Sequence, residues 1–128
     1  MIGADPQGKA FQYLLGSHGV AYLPHREIEA SEAIALISAS EGIPVLAHPG
    51  RMKGTDLLRT LVDWGLGGLE VYYPTHTAAQ TRRFERLAKR FNLIATGGSD
   101  FHGDEEGPAL GAARAPVELL RILRGRGE

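Results

Sequence analysis

The chain has 128 residues, of which 43% are hydrophobic and 23% are charged, a size and composition typical of one folded domain. Its formal net charge of -1 predicts no broad basic surface for nucleic acid or anionic membranes, and the absence of cysteine excludes disulfides, thiolate metal sites and thiol nucleophiles. No apolar run approaches the ~18 residues of a membrane span, and no signal-peptide core opens the chain, so we expect a cytoplasmic protein. No protein partner is indicated.

Residues 1–28 are the least regular part, and we expect an irregular head there. A short helical stretch is predicted over Lys9–Leu15, and an extended segment over Val20–Leu23 that Pro24 closes.

Residues 29–128 alternate between helical and strand patterns. The predicted elements are a helix capped by Ser31 and stopped by Gly42, a strand at Ile43–Ala47, a helix from Thr55 to Gly65, a strand at Gly68–Tyr73, a helix at Ala78–Phe91, a strand at Leu93–Gly97 and a helix from Pro116 to about Leu123. The apolar run Ile43–Ala47 is typical of a strand buried on both faces. This alternation predicts an α/β fold with a parallel sheet and right-handed crossovers, in an open sheet or a barrel.

Unusual polar residues follow each predicted strand. His48 and Arg51 follow the first strand, Glu70 lies in the second, which leads to His76, and Asp100 and His102 follow the third. In parallel α/β folds the carboxyl ends of the strands share one rim, so these side chains are expected to converge.

Imidazole and carboxylate groups together suit Zn, Mn or Fe, and Asp100-x-His102 is a candidate ligand pair. The pair Gly97-Gly98 would let the backbone approach a ligand closely. The alternative is an ordinary turn with a solvated His102, and for His48 a hydrogen-bonded structural histidine. Because His48 is expected to lie opposite Asp100 and His102, a role as metal ligand is favoured for His48.

The remaining polar residues carry weaker hypotheses. Arg51 has the fork that matches phosphate oxygens, or it is a surface cation, as is expected for Lys53. Glu70 could bind a metal, orient a histidine or form a salt bridge, and support of a histidine or a structural role is favoured. His76 is a candidate substrate or phosphate contact. His18 and His25 lie in the irregular head and are expected to have no functional role.

The motifs AHPGR, GLEVY with a downstream histidine, and GSDFH together resemble the carboxy-terminal motifs of the PHP (polymerase and histidinol phosphatase) phosphoesterases. The most similar branch comprises 3',5'-nucleotide phosphatases and oligonucleotide 5'-to-3' exonucleases, and the resemblance runs from about Phe11 to about Gly111.

The resemblance implies the later part of a distorted (β/α)7 barrel with two or three divalent ions, Mn, Zn, Mg or Fe, at its rim. It implies that His48, Asp100 and His102 are metal ligands, with Asp100 and His102 at the catalytic centre, and that Arg51 and His76 lie on the substrate side. The family's early H-x-H motif does not occur in the chain. Residues 1–128 therefore resemble a partial PHP domain, which we expect to be inactive alone.

The function implied is hydrolysis of phosphate esters by metal-activated water, with nucleotide 3',5'-bisphosphates or short oligonucleotides as substrates. Two alternatives stay open: a non-catalytic PHP-like module that binds metal, and an amidohydrolase on a related barrel. A phosphate-binding arginine favours the phosphoesterase over the amidohydrolase.

Overall fold

The structure, a computed structural model, describes residues 13–23, 27–52, 56–103 and 107–124. The elements are α1 (Ala30–Ala39), β1 (Val45–Leu46), a 3-10 helix (Pro49–Arg51), α2 (Asp56–Asp63), β2 (Gly68–Tyr72), α3 (Ala78–Arg90), β3 (Ile94–Gly97) and α4 (Glu118–Arg124). Several sequence predictions fall outside the described residues: most of the Lys9–Leu15 helix, Pro24, His25, Lys53 and the Thr55 cap.

The three strands form one parallel sheet in the order β1-β2-β3. Val45 pairs with Gly68, and Gly68 in turn pairs with Ile94, so the strands are in register at their amino ends. Each crossover carries a helix, as parallel pairing requires. The predicted α/β alternation and the parallel sheet are confirmed.

The central strand carries the core. Leu69 and Val71 lie two residues apart on one face of β2, and both are 0% exposed. Helices α1, α2 and α3 pack apolar side chains against this face, namely Ile34, Leu58, Leu61, Phe84 and Ala88. The buried side chains of β2 thus pack the sheet against the helices, and the polar residues beyond the carboxyl end of β2 follow directly from this packed strand.

The helix ends follow local sequence chemistry. Thr77 caps α3, with a reciprocal capping box in which its side chain accepts from the Gln80 backbone and Gln80 accepts from the Thr77 backbone. The residue after the cap is left-handed at Glu41 and Asn92, which lets the chain reverse after α1 and α3. The predicted Ser31 cap is wrong, because α1 begins at Ala30 after Glu29, without a side-chain cap.

Two predictions about extended structure are wrong. The first strand is only Val45–Leu46, and Val45 is 39% exposed rather than buried on both faces, because β1 is an edge strand in the described sheet. The segment Val20–Leu23 is not a strand: the Val20 and Ala21 amides bond back to Tyr13 and Leu14, and the chain turns there.

Among the described residues, no helix is both long enough and apolar enough to cross a membrane.

Candidate active site

The carboxyl ends of the three strands open onto one cleft of about 450 Å³. The described residues that line it are His48, Arg51, Tyr73, Thr75, Asp100, His102, Gly107 and Pro108. The cleft thus brings together four of the sequence-predicted site residues, the three predicted metal ligands and Arg51. Glu70 and His76 lie beside the cleft and not in its lining.

A left-handed backbone places His48 in the cleft. Its φ and ψ are 47° and 49°, and Pro49 then starts the 3-10 helix that carries Arg51. Such a backbone is unfavourable for a residue with a side chain and needs support from its surroundings. Glu70 supplies it, since the His48 amide donates to Glu70 Oε2 at 2.8 Å. Glu70, for which the sequence favours support of a histidine or a structural role, thus bonds the His48 backbone, and its Oε2 also lies 3.9 Å from His48 Nε2.

Asp100 also has a left-handed backbone, with φ 53°. Of the four described non-glycine residues with positive φ, Glu41 and Asn92 end helices, whereas His48 and Asp100 are predicted ligands. Gly97 brings the chain to this point by a very close approach, because a Cβ there would lie 2.5 Å from the Tyr72 carbonyl oxygen. Unfavourable backbone that is held by neighbours is typical of functional sites.

The side chains of the three predicted ligands lie near one another. His48 Nε2 is 3.5 Å from Asp100 Oδ2, and the His102 ring approaches the same carboxylate, with Nδ1 3.9 Å from Oδ1. Two ligands of one ion with bonds of about 2.1 Å are separated by at most ~4.2 Å, so the His48–Asp100 pair fits a shared divalent ion.

His102 is 72% exposed along its side chain, and its Nδ1 lies 2.6 Å from the Asp100 carbonyl oxygen. Because a carbonyl only accepts, the ring proton sits on Nδ1, which leaves Nε2 able to bind a metal. Among the described residues, however, no three His, Asp or Glu side chains are arranged to hold one ion together. The donor chemistry fits a divalent metal, and the described part of the chain supplies a partial ligand set.

Tyr73 connects the cleft residues, a role that the sequence analysis did not predict. Its hydroxyl donates to Asp100 Oδ2 at 2.8 Å and accepts from Arg51 Nη2 at 3.0 Å. Its ring lies 4.9 Å from the His48 ring and 5.2 Å from the His76 ring, between centroids. The only available sequence signal was its position directly after β2, on the same rim as the predicted ligands.

The hydrogen bond between Tyr73 and Asp100 stabilises the protonation states that both groups have near neutral pH. The Tyr73 hydroxyl lowers the pKa of Asp100 below its usual range, with smaller contributions from His48, His102 and Arg51. The same bond, followed by burial, raises the pKa of Tyr73. Near neutral pH the site therefore holds an ionised Asp100 and a neutral Tyr73.

His76 lies behind Tyr73, against Phe84, with a ring-centroid distance of 4.8 Å. Its Nδ1 is 2.9 Å from the Val71 carbonyl oxygen, so Nδ1 carries the proton. Its Nε2 is buried and has no hydrogen-bond partner among the described residues. Gly50 covers this nitrogen, because a Cβ at position 50 would come within 2.9 Å of it.

No protein-family model matches the chain. Three curated proteins are similar in sequence. A phosphoribosyl 1,2-cyclic phosphate 1,2-diphosphodiesterase from Eggerthella lenta is 46% identical over 76 residues, which are 59% of this chain and 29% of that protein. A 5'-3' exoribonuclease from Haemophilus influenzae is 36% identical over 74% of this chain and 36% of its own length.

The third curated protein, a 3',5'-nucleoside bisphosphate phosphatase from Chromobacterium violaceum, is 35% identical over 67% of this chain and 32% of its own length. The chain therefore spans about a third of the length of these relatives.

Two solved structures share the fold. A protein from Bifidobacterium adolescentis described as a metal-dependent phosphoesterase superposes with a TM-score of 0.74 at 29% identity, over 95% of this chain and 45% of that one. An amidohydrolase from C. violaceum with bound sulfate and no metal has a TM-score of 0.65 at 29% identity, over 93% and 44% of the two chains. These similarities confirm the resemblance that the motifs indicate. This chain is related to the PHP metal-dependent phosphoesterases and matches part of their length.

Proposed function

We propose that the chain takes part in metal-dependent hydrolysis of phosphate esters, with nucleoside 3',5'-bisphosphates or short oligonucleotides as substrates. One observation carries the proposal: a guanidinium, an ionised carboxylate and two imidazoles share a single cleft at the carboxyl ends of parallel strands. The names of the three curated relatives, each an enzyme that acts on phosphate esters, support this class of substrate.

His48, Asp100 and His102 are the proposed metal ligands, and Asp100 and His102 the proposed catalytic residues. When bound, divalent ions lower the pKa of water and neutralise phosphoryl oxygens. Carboxylate and imidazole ligands suit Mn, Zn or Fe, and Mg where more oxygen ligands are available. The description of the B. adolescentis neighbour as metal-dependent supports the requirement for a metal.

The other residues position the substrate and the ligands. Arg51 lines the cleft, and its planar fork would bind two oxygens of one phosphate group. Glu70 holds the backbone of His48. A substrate contact by His76, as the sequence predicts, would require Nε2 to be uncovered from beneath Gly50.

We further propose that the three-stranded sheet is the later portion of a PHP barrel, with residues 1–28 as a head and 29–128 as its strand-helix repeats. The partial ligand set and the exposed edge residue Val45 support this arrangement. The remaining ligands would then come from additional strands. On this basis the chain alone is expected to show little or no turnover.

The two alternative functions differ in testable ways. One structural neighbour is named an amidohydrolase, whereas the three curated relatives are all named for reactions of phosphate esters, which favours phosphorus-centred over acyl chemistry. A non-catalytic module would bind the metal but would turn over no substrate in any context.

The test is a chimaera in which this chain replaces the matched segment of the C. violaceum phosphatase. The chimaera should hydrolyse a nucleoside 3',5'-bisphosphate in a Mn-dependent manner and should leave an N-acyl amino acid intact. Asp100→Asn in the chimaera should lower turnover by several orders of magnitude without unfolding the protein. A folded chimaera that binds Mn and hydrolyses no phosphate ester would refute the proposal, as would an Asp100→Asn variant of unchanged activity.

A further inference from the structure

The Tyr73 side chain, directly after β2, is held in place by the aromatic rings around it. Its side chain is buried, with the residue only 6% exposed. The rings of His48 and His76 contact it, and Phe84 packs behind His76. The ring is therefore fixed, and the hydroxyl is presented at a defined place in the cleft.

The direction of the two hydrogen bonds at this hydroxyl is determined by its partners. Arginine can only donate, and an ionised carboxylate can only accept. Arg51 must therefore donate to the Tyr73 oxygen, and the Tyr73 proton must point to Asp100 Oδ2. One hydroxyl thus satisfies a cation on one side and an anion on the other.

This arrangement keeps Arg51 and Asp100 apart. The ion pairs of the described residues include contacts of Asp100 with His48 and His102, but none between Asp100 and Arg51. A guanidinium next to a carboxylate would ordinarily form a two-bonded pair. Such a pair would occupy the oxygens that Asp100 needs for a metal and the fork that Arg51 needs for phosphate.

Packing alone does not require this hydroxyl. Phenylalanine would fill the same space between the two histidine rings and would avoid burying a polar group. The neighbouring Tyr72 provides the comparison, because its hydroxyl bonds at 3.2 Å to Glu85 on α3 and takes no part in the cleft.

We propose that Tyr73 is a positioning residue whose hydroxyl is the spacer between Arg51 and Asp100, so that the carboxylate stays free for a metal ion and the guanidinium for phosphate. The inference rests on the proposed function, since it assigns Tyr73 a task only if Asp100 binds metal. Loss of the hydroxyl lets Arg51 move onto Asp100 and compete with the ion.

The test measures Mn affinity of the purified chain by electron paramagnetic resonance, which counts free Mn. Tyr73→Phe should bind Mn about 10-fold or more weakly than the unsubstituted chain, the range found when a partner of a metal ligand is removed. Tyr72→Phe, the matched control, should bind as the unsubstituted chain does. Thermal unfolding of both variants checks that they are folded.

A second variant separates the spacer role from simple loosening of the site. Arg51→Ala added to Tyr73→Phe removes the competing guanidinium and should restore Mn affinity to within about threefold of the Arg51→Ala single variant. Equal Mn affinity in Tyr73→Phe and Tyr72→Phe would overturn the proposal, and so would a double variant that recovers nothing. Absence of Mn binding by the unsubstituted chain would overturn it as well. If the affinities behave as expected but the chimaera hydrolyses no ester, the proposed function fails and the role of Tyr73 stands.

Discussion

Glu70→Ala tests whether a carboxylate on β2 maintains the strained backbone of His48. The bond from the His48 amide to Glu70 Oε2 is 2.8 Å long and partly buried. A hydrogen bond to a charged group contributes roughly 1.5–3 kcal/mol, and removing one partner leaves the amide unsatisfied next to a left-handed residue. We therefore expect the free energy of unfolding to fall by about 2 kcal/mol.

Urea unfolding followed by fluorescence measures this change, because Trp64 is the chain's single tryptophan and lies at the end of α2. The matched control is Glu85→Ala, which also removes a carboxylate that bonds a neighbour but lies exposed on α3. That change should cost less than about 1 kcal/mol, as is usual for surface groups. If Glu70→Ala were no more destabilising than Glu85→Ala, the support of the His48 backbone by Glu70 would be refuted.

Three further predictions concern the rest of the site and the sheet. Gly50→Ala places a Cβ 2.8 Å from the His76 ring, so it should lower the free energy of unfolding by about 1–3 kcal/mol in the same urea experiment. An unchanged unfolding midpoint would show that the His76 ring moves aside without cost. Arg51→Lys keeps the positive charge but loses the planar guanidinium fork, so kcat/KM of the chimaera should fall by the equivalent of roughly 1–3 kcal/mol. Unchanged kinetics would show that Arg51 is a surface cation without a role in phosphate binding. Burial, followed by the bond to Glu85, raises the pKa of Tyr72, so its folded state holds the proton more tightly than the unfolded chain. The stabilisation from the protonated hydroxyl is full below the unfolded pKa of about 10 and is lost as the pH rises through the higher folded pKa. The difference in free energy of unfolding between the unsubstituted chain and Tyr72→Phe should therefore be constant below pH ~10 and should narrow above it in alkaline unfolding titrations.

The order of the elements could be predicted from sequence because each helix and strand carries its own period and its own stop. Asn92 ends α3, and the following apolar run forms β3. The first strand was predicted too long, because an apolar run such as Ile43–Ala47 reveals hydrophobicity but not which strands will lie beside it in the sheet. Val45 lies on an edge of the described sheet, and no local pattern distinguishes an edge from a centre.

The convergence of His48, Arg51, Asp100 and His102 could be predicted because parallel strands share a rim. The role of Tyr73 could not, for a geometric reason. Simple alternation places Tyr73 on the same face of β2 as the buried Leu69 and Val71, so the pattern predicts a packed residue and not a cleft residue. The pairing of β2 with β3 also shifts register between Glu70 and Tyr72, which residue spacing does not reveal. The support that Glu70 gives to the His48 amide depends on a backbone conformation that residue spacing does not reveal.

The location of a metal ion in this cleft tests the proposed ligand set directly. Crystals of the chain soaked in Zn would be measured by anomalous diffraction at the zinc edge. We expect a peak within about 2.0–2.2 Å of both His48 Nε2 and an Asp100 carboxylate oxygen, and no such peak in Asp100→Asn crystals. A soaked crystal with no peak between these two side chains, or with zinc bound only elsewhere on the surface, would contradict this ligand set.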